Sequence, residues 1–434
     1  MRLIIISLDA AFAADADTLL SLPHLGALAA GGVFCDRVQT IYPSLTYPIH
    51  VSLVTGAYPE AHGIAHNQPF QPEVQPMMRR WHWDAADIQV DTLFTAAHRA
   101  GRVSAAILWP VTGHSRAIRY NFPEVLALPG ESQVLKVLRY GSTGWLLKNE
   151  LLYGRRRVST KQPHLDDYVT LIAQKLIARH PAPTRGKQGQ ELVMPTARAL
   201  RRHMPDLLAL HLVDLDAMRH AHGVFSAQAQ EAMQRLDQRV GRVVRALEEK
   251  DLLRDTIIAV VSDHGQADLT GSLPLDAWLR ANQVPARAQT LGLGAYIRLN
   301  RADYRPVLET LRAHQASLHL KHIYTREQLR GMRAQEDILL AVEPEEGIAI
   351  MDDENQPPGV ATHGFGPDHP ASQALLFLSG PPFKKGHRLS GCDLVDIAPT
   401  LAAAAGLSLP QAQGRVLWEA MNGLEPPGKE GNGS

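Results

Sequence analysis

Apolar runs of strand length recur along the 434-residue chain and alternate with longer segments of helical spacing. The clearest runs cover residues 3–8, 103–108, 207–213, 257–261 and 374–378. Uninterrupted apolar runs are typical of strands that are buried on both faces of a sheet, and the segments between them would supply the covering helices. The pattern therefore predicts an α/β fold in which a mostly parallel central sheet is flanked by helices.

The strongest helical pattern begins after Ser226. Apolar residues then recur every three or four positions, namely Ala229, Met233, Leu236, Val240, Val243 and Leu247. This spacing places them on one face of a helix, which we expect to pack on the sheet.

Two stretches fit this core poorly, and a third has little to bury. Residues from about 115 to 200 carry an arginine run at 155–157, several aromatic residues and a Pro/Gly-rich breaker at about 181–189, so they are interpreted as an insertion. Residues from about 285 to 350 are expected to form a small cap, and 423–434 a flexible Gly/Pro-rich tail. We expect residues 1–422 to form a single catalytic domain that includes both segments.

The amino-acid composition limits the classes of protein to which this chain can belong. Hydrophobic residues make up 45% and charged residues 20%, as in folded soluble proteins, and 44 basic residues balance 44 acidic ones. No global field therefore favours a nucleic-acid polymer or a membrane, and any anionic ligand must be held locally. The presence of only two cysteines and the lack of a signal-peptide pattern or long apolar stretch predict a cytoplasmic protein.

Candidate ligands follow the predicted strands, where open α/β sheets bind their ligands. Asp263 and His264 come directly after the run at 257–261, and Gly265 allows a sharp turn there. Asp216 and His220 are four apart, so one turn of helix would place both on one face. Asp214 and His222 are the alternatives to this second pair.

Two further candidates lie in loops or at a helix end. Residues 42–50 lead into a predicted short helix that ends near Gly56, which places Thr46 at its N-terminus, where unpaired N–H groups favour a phosphoryl group. A single threonine in this context is more often a helix cap. His363 is followed by a glycine and precedes another predicted strand, and His369 is the competing ligand nearby.

Several ordered segments closely resemble the alkaline phosphatase superfamily, and within it the nucleotide pyrophosphatase/phosphodiesterase branch. The resemblance runs from the first strand to about Leu407 and is weakest in the insertions. Its segments are Thr46-Tyr47-Pro48 with residues 54–64, then residues 262–265, 363–365, 380–383 and 395–400.

This resemblance implies a site that contains two divalent metal ions. One ion would be held by Asp9, Thr46, Asp263 and His264, and the other by Asp216, His220 and His363. Mixed carboxylate and imidazole ligands favour zinc, and manganese or iron also suit them. The resemblance further implies that Thr46 attacks phosphorus, that a phospho-threonine intermediate forms, and that water then releases the phosphoryl group.

The resemblance also assigns roles around the nucleophile. Asn67 lies where the family has an amide that contacts a phosphoryl oxygen, although a turn asparagine is the alternative. Tyr47 and Trp109 are candidates for stacking on a leaving-group base, with core packing equally compatible for Trp109. His50 and His62 are interpreted as structural. Leu45 and Ile49 depart from residues common in the family, which leaves substrate preference open.

Hydrolysis of a phosphodiester or nucleotide pyrophosphate bond in a small phosphorylated substrate, such as a nucleotide, is the leading hypothesis. A phosphomonoesterase or a phosphonate hydrolase similar to phosphonoacetate hydrolases would use the same metals. A phosphomutase and an inactive metal-binding protein are less favoured. The sequence does not indicate an oligomeric state. The arginine run at 155–157 is interpreted as a solvated face, with contact to substrate phosphates as the alternative.

Overall fold

The computed structural model describes residues 1–181, 203–299, 303–352 and 359–423. Most of the predicted Pro/Gly-rich breaker and nearly all of the predicted tail lie outside these residues. The α/β class is confirmed, with a nine-stranded central sheet that has helices on both faces. No helix in the described part of the chain is long and apolar enough to cross a membrane.

The strands are numbered in chain order. They are β1 (Arg2–Leu8), β2 (Val33–Gln39), β3 (Ser104–Ile107), β4 (Tyr120–Phe122), β5 (Leu207–Leu212), β6 (Thr256–Ser262), β7 (Ala267–Asp268), β8 (Gly271–Leu273), β9 (Ala286–Thr290), β10 (Ala295–Leu299), β11 (Leu320–Thr325), β12 (Leu340–Pro344), β13 (Ile348–Ile350), β14 (Ala361–Thr362), β15 (Gln373–Ser379), β16 (His387–Arg388) and β17 (Cys392–Asp393).

The helices in the described residues are numbered in the same way. They are α1 (Ala16–Ser21), α2 (Pro23–Ala30), α3 (Thr46–Thr55), α4 (Pro59–His62), α5 (Leu93–Arg99), α6 (Gln133–Tyr140), α7 (Thr143–Tyr153), α8 (His164–Ile177), α9 (Asp214–His222), α10 (Ala227–Glu248), α11 (Leu275–Ala281), α12 (Arg305–Ala313), α13 (Arg326–Gly331) and α14 (Ile397–Ala405).

The central sheet has the strand order β16–β2–β15–β6–β1–β5–β3–β4, and β17 also pairs with β2. All these pairings are parallel except those of β15, which runs antiparallel to both β2 and β6. The five predicted runs coincide with β1, β3, β5, β6 and β15, whereas β2 was not predicted, because Asp36 and Arg37 interrupt its apolar residues. The mostly parallel arrangement places β1 at the centre, between β5 and β6.

Successive residues of β1 face opposite layers of helices. Ile4 and Ile6 pack into the core that contains α2, α8 and α10, whereas Leu3 and Ile5 pack into the core that contains α3, α5 and α14. Helix α10 matches its predicted pattern, since all six apolar residues of that pattern are buried. Its start is capped by the Ser226 hydroxyl, which accepts a hydrogen bond from the Ala229 N–H at 3.2 Å. Both faces of the sheet are thus covered.

A second, antiparallel sheet has the order β11–β12–β10–β9 and lies within the segment predicted to be a cap. Together with α11 and α12 it encloses its own apolar cluster, which includes Leu279, Ile297, Leu311 and Val342. The division of the chain into one catalytic domain with an insertion and a cap stays a prediction.

Candidate active site

The ends of three neighbouring strands bring the first candidate ligands together. Leu8, the last residue of β1, pairs in register with Leu212 of β5 and Ser262 of β6. Asp9 therefore lies beside Asp263 and beside the turn that leads into α9. Residues that are about 50 to 250 positions apart in the sequence meet because parallel strands share one carboxyl edge.

Six predicted residues assemble at this edge. Asp9, Asp263 and His264 form one cluster of potential metal ligands, and Asp216, His220 and His363 form another, with the ligand atoms of each cluster within 4.8 Å of one another. The clusters touch, because the rings of His264 and His363 stack with centroids 3.8 Å apart. The structure thus groups these side chains as the resemblance predicts, and their role as ligands remains a proposal.

Each histidine in the two clusters is oriented by a backbone carbonyl. The Nδ1 atoms of His220, His264 and His363 lie 2.8, 3.1 and 3.0 Å from the carbonyl oxygens of Ala361, Gly265 and Ser44, respectively. Because a carbonyl only accepts, each Nδ1 donates, so the lone pair of the neutral ring lies on Nε2. This is the tautomer that binds a metal through Nε2.

The buried carboxylates leave oxygen atoms without hydrogen-bond donors. Among the described residues, neither Asp9 Oδ1 nor Asp263 Oδ2 has a hydrogen-bond partner, although both atoms are buried. Burial, reinforced by repulsion from Asp263 and Asp216, raises the pKa of Asp9 well above its ordinary value. Burial also raises the pKa of Asp263. A divalent cation would satisfy these oxygens and oppose the repulsion, so this part of the site fits a metal.

Thr46 is the first residue of α3, and its hydroxyl lies 3.2 Å from His264 Nε2. Leu45 is the N-cap, and no side chain in the described part of the chain caps the helix, so the structure contradicts the alternative in which Thr46 caps it. The Asn67 side-chain oxygen accepts a hydrogen bond from the Tyr47 N–H at 3.0 Å. This contact fixes the amide of Asn67 beside Thr46.

His50 and His211 form a buried pair next to Thr46, and the sequence did not predict that they belong to the site. His50 Nδ1 donates to the Thr46 carbonyl at 2.8 Å, and its Nε2 lies 2.9 Å from Ser7 Oγ and 3.0 Å from His211 Nδ1. His211 Nε2 in turn lies 3.2 Å from Asp9 Oδ2. The pair therefore links the first turn of α3 to a candidate ligand. The sequence signal was the polar Ser7 and His211 within otherwise apolar strands.

Two more side chains border the clusters without having been predicted. Gln266 donates from Nε2 to Asp216 Oδ1 at 2.5 Å, which orients that carboxylate. Burial, together with the charges of Asp216 and Asp263, raises the pKa of Glu124 to about 8. Glu124 lies in the predicted insertion, where no local pattern distinguishes it, so only the fold reveals its position.

The alternative ligands lie elsewhere. Asp214 is fully buried and accepts charged hydrogen bonds from Arg235 and Arg239 at 2.7 and 2.6 Å, which makes it part of an ion-pair cluster. His222 is exposed at the end of α9. His369 stacks on Phe365, with ring centroids 4.2 Å apart, and belongs to neither cluster.

The predicted stacking residues require a correction. Tyr47 and Trp109 are both 0% exposed. Tyr47 packs edge-on against Trp81, and Trp109 packs edge-on against His50. Neither ring presents a face to a substrate in this structure, because Tyr47 packs in an apolar cluster with Val51 and Val111, and Trp109 packs in the core layer that contains α3.

The sheet with its paired Asp/His clusters has the architecture of the alkaline phosphatase superfamily. Residues 3–367 match the family described as type I phosphodiesterase/nucleotide pyrophosphatase. The chain therefore belongs to the type I phosphodiesterase/nucleotide pyrophosphatase family, and the resemblance seen in the sequence is confirmed.

Curated relatives agree with this assignment. The chain is 22% identical over 411 residues to human ectonucleotide pyrophosphatase/phosphodiesterase family member 1, covering 87% of this chain and 38% of that protein. It is 24% identical over 423 residues to the bis(5′-adenosyl)-triphosphatase enpp4 of Mus musculus, covering 94% of this chain and 78% of that protein. The chain thus spans less than half the length of the first of these relatives.

A solved structure shares the fold. Murine ectonucleotide pyrophosphatase/phosphodiesterase 5, as an inactive threonine-to-alanine variant in complex with AMP, superposes with a TM-score of 0.71 at 18% identity. The match covers 97% of this chain and 100% of that one.

Proposed function

We propose that this protein is a two-metal hydrolase that cleaves phosphodiester or nucleotide pyrophosphate bonds, with Thr46 as the nucleophile. The observation that carries the proposal is the position of the Thr46 hydroxyl at the N-terminus of α3, 3.2 Å from His264 and beside both ligand clusters. Family membership and the inactivity of the threonine-to-alanine variant of the murine relative support it.

The two clusters would hold one divalent cation each, Asp9, Asp263, His264 and Thr46 the first and Asp216, His220 and His363 the second. Bound there, two cations would lower the pKa of the Thr46 hydroxyl and neutralise charge that develops on the phosphoryl oxygens. Zinc suits this donor set best, and manganese or iron remain alternatives.

Residues of the chain would carry out the reaction at this site. The Thr46 oxygen forms a bond to phosphorus as the ester oxygen of the leaving group departs, and the N-terminus of α3 favours the negative charge of the phosphoryl group. Asn67 would donate from its amide to a phosphoryl oxygen, which its contact with the Tyr47 N–H supports. Water then attacks phosphorus on the opposite side and breaks the bond to Thr46, which regenerates the hydroxyl.

Paired assays test this proposal. Bis(p-nitrophenyl) phosphate should be hydrolysed with a kcat/KM well above that of p-nitrophenyl phosphate, and elemental analysis should find close to two transition-metal ions per chain. His363→Ala, which removes one candidate ligand, should retain about one ion and its fold. Preference for the monoester would favour the phosphomonoesterase alternative, and full activity after chelation would contradict metal dependence.

The cytoplasmic location stays a prediction.

A further inference from the structure

Arg219 lies in α9 between the two candidate ligands of that helix, and its side chain is fully buried. The guanidinium donates hydrogen bonds to three groups, which are the Val224 carbonyl at 3.1 Å, Asp15 Oδ1 at 2.6 Å and the Ala10 carbonyl. Asp15 is buried as well, so the ion pair compensates both charges inside the protein. Arg219 thus joins α9 to the turn that follows β1.

This turn has an unusual backbone conformation at Ala10. The φ angle of Ala10 is 63°, in the left-handed region that is unfavourable for a residue with a Cβ atom. Two groups from distant segments hold it there, because the Ala10 N–H donates to Asp263 Oδ1 at 3.0 Å and the Ala10 carbonyl accepts from Arg219. Such a conformation persists only while its surroundings fix it, so Arg219 is one of its two restraints.

The turn at Ala10 fixes two candidate ligands of the first cluster. Asp9 directly precedes Ala10, and its own N–H donates to the Leu212 carbonyl at 2.9 Å. Asp263 Oδ1 accepts from the N–H groups of both Ala10 and His264, which leaves Asp263 Oδ2 for an ion. Relaxation of the turn would withdraw the Ala10 N–H from Asp263 and release the backbone on the carboxyl side of Asp9.

The guanidinium also supports the loop that carries His264. It lies over the Phe12 ring, 5.0 Å from the ring centroid. Phe12 packs so closely on Gly265 that a Cβ atom at that position would lie 2.5 Å from the ring. The Gly265 carbonyl in turn orients the His264 ring at 3.1 Å. Contacts therefore run from Arg219 through Phe12 to a third ligand of the first cluster.

We propose that Arg219 is a positioning residue for the first cluster, although it lies on the helix that bears two ligands of the second. It holds the turn after β1 in the conformation that directs the first cluster's carboxylates at one divalent ion. Asp216 and His220 depend on it less, because one turn of helix sets their 3.3 Å contact. The inference rests on the metal sites of the proposed function and goes beyond it by assigning a residue outside both clusters.

Variants that keep one intact cluster allow the two sites to be measured separately. His363→Ala leaves the first cluster intact, and Asp263→Asn leaves the second. Competition with a chromophoric chelator measures the Zn²⁺ affinity of each. Addition of Arg219→Lys should weaken Zn²⁺ binding at the first cluster about 10- to 100-fold, as loss of an outer-sphere partner does, because lysine lacks the planar fork of donors. The second cluster should change less than about threefold. An unchanged first cluster, or equal losses at both, would overturn the inference.

Arg239 supplies a matched control. It is 1% exposed, lies in the neighbouring α10 and pairs with Asp214 at 2.6 Å. Its other hydrogen bonds in the described part of the chain go to Asp167 and Pro163, away from the turn after β1. Arg239→Lys should lower the melting temperature and leave the Zn²⁺ affinity of the first cluster within about twofold. A loss as large as that in Arg219→Lys would show that any buried arginine has this effect, which would overturn the assignment.

Glycine at position 10 gives a readout that a merely structural arginine would not move. Glycine adopts a positive φ without steric strain, so Ala10→Gly removes the strain that Arg219 opposes. Combined with Arg219→Lys, it should restore Zn²⁺ affinity at the first cluster at least about threefold, even though glycine lowers the stability of the fold. Unchanged or further weakened binding would contradict the role of the turn.

Two further measurements keep the inference testable. If Arg219→Lys does not fold, Asp15→Asn replaces it, since asparagine keeps the size of the side chain but loses the charge that holds the guanidinium. It should weaken Zn²⁺ at the first cluster at least about threefold, and unchanged affinity would overturn the inference. A wild-type protein that binds no Zn²⁺ would contradict the proposed function and the inference together, whereas normal wild-type binding without loss in the variants would overturn the inference alone.

Discussion

The position of the Thr46 hydroxyl depends on both the local sequence and tertiary contacts. Its place at the start of α3 follows from the local pattern, whereas its contact with His264 requires the end of β6 to lie beside it. This hydroxyl lies at a helix N-terminus and beside a cluster of candidate metal ligands. Such a position is better suited to a nucleophile than to a helix cap.

Substitution of this residue gives a sharp test. Thr46→Ala should abolish turnover and keep the metals, since the six proposed Asp and His ligands remain. Thr46→Ser should keep partial activity, because its hydroxyl is less firmly positioned. Kinetics and elemental analysis would measure both. A chiral phosphorothioate diester should react with retention of configuration, as two in-line displacements require. Inversion would exclude Thr46 as the nucleophile.

Helix α3 is held at its first turn by a side chain on the same helix. His50 contacts the Thr46 carbonyl and, through His211, approaches Asp9. His62, which follows in α4, is equally buried but contacts Ser52 and the Ile64 N–H instead. The two histidines therefore allow a matched comparison, since only His50 contacts Thr46.

We expect His50→Ala to lower kcat by about 10- to 100-fold with little change in KM, because small displacements of a nucleophile are costly. His50→Asn should recover part of the rate, since its amide can donate near the same position. His62→Ala should reduce thermal stability but change kcat by less than about twofold. Equal kcat losses in both alanine variants would contradict a positioning role for His50.

Buried histidines also make the whole molecule sensitive to acid. Burial lowers the pKa of His50, His62 and His211 to about 3 in each case. Their pKa in the unfolded chain is about 6.5, so below that pH the unfolded state binds more protons than the folded state. The free energy of unfolding should therefore fall as pH drops from about 6.5 towards 3. The raised pKa values of Asp9 and Asp263 act in the opposite direction.

Melting temperatures measured between pH 8 and pH 4 would check this expectation. His62→Gln removes one titrating group away from the ligand clusters and should give a shallower decline than wild type. Added metal should raise the melting temperature, and more so at higher pH, because protons compete for the same ligands. A melting temperature that is constant across this range would contradict the prediction.

The sequence by itself determined some of the elements and the spacing of residues within them. Apolar runs marked five strands, a regular repeat marked α10, and the four-residue interval between Asp216 and His220 set their 3.3 Å contact, because helix and strand geometry fixes distances between residues close in sequence. The family motifs added the distant members of each cluster.

Only the tertiary structure decided which strand ends became neighbours and which side chains turned inward. The antiparallel course of β15, the link from His50 to His211, the burial of Tyr47 and the hydrogen bond from Arg219 to Ala10 all depend on contacts between distant segments. Such contacts are set by packing across the whole core, and no local period in the sequence records them.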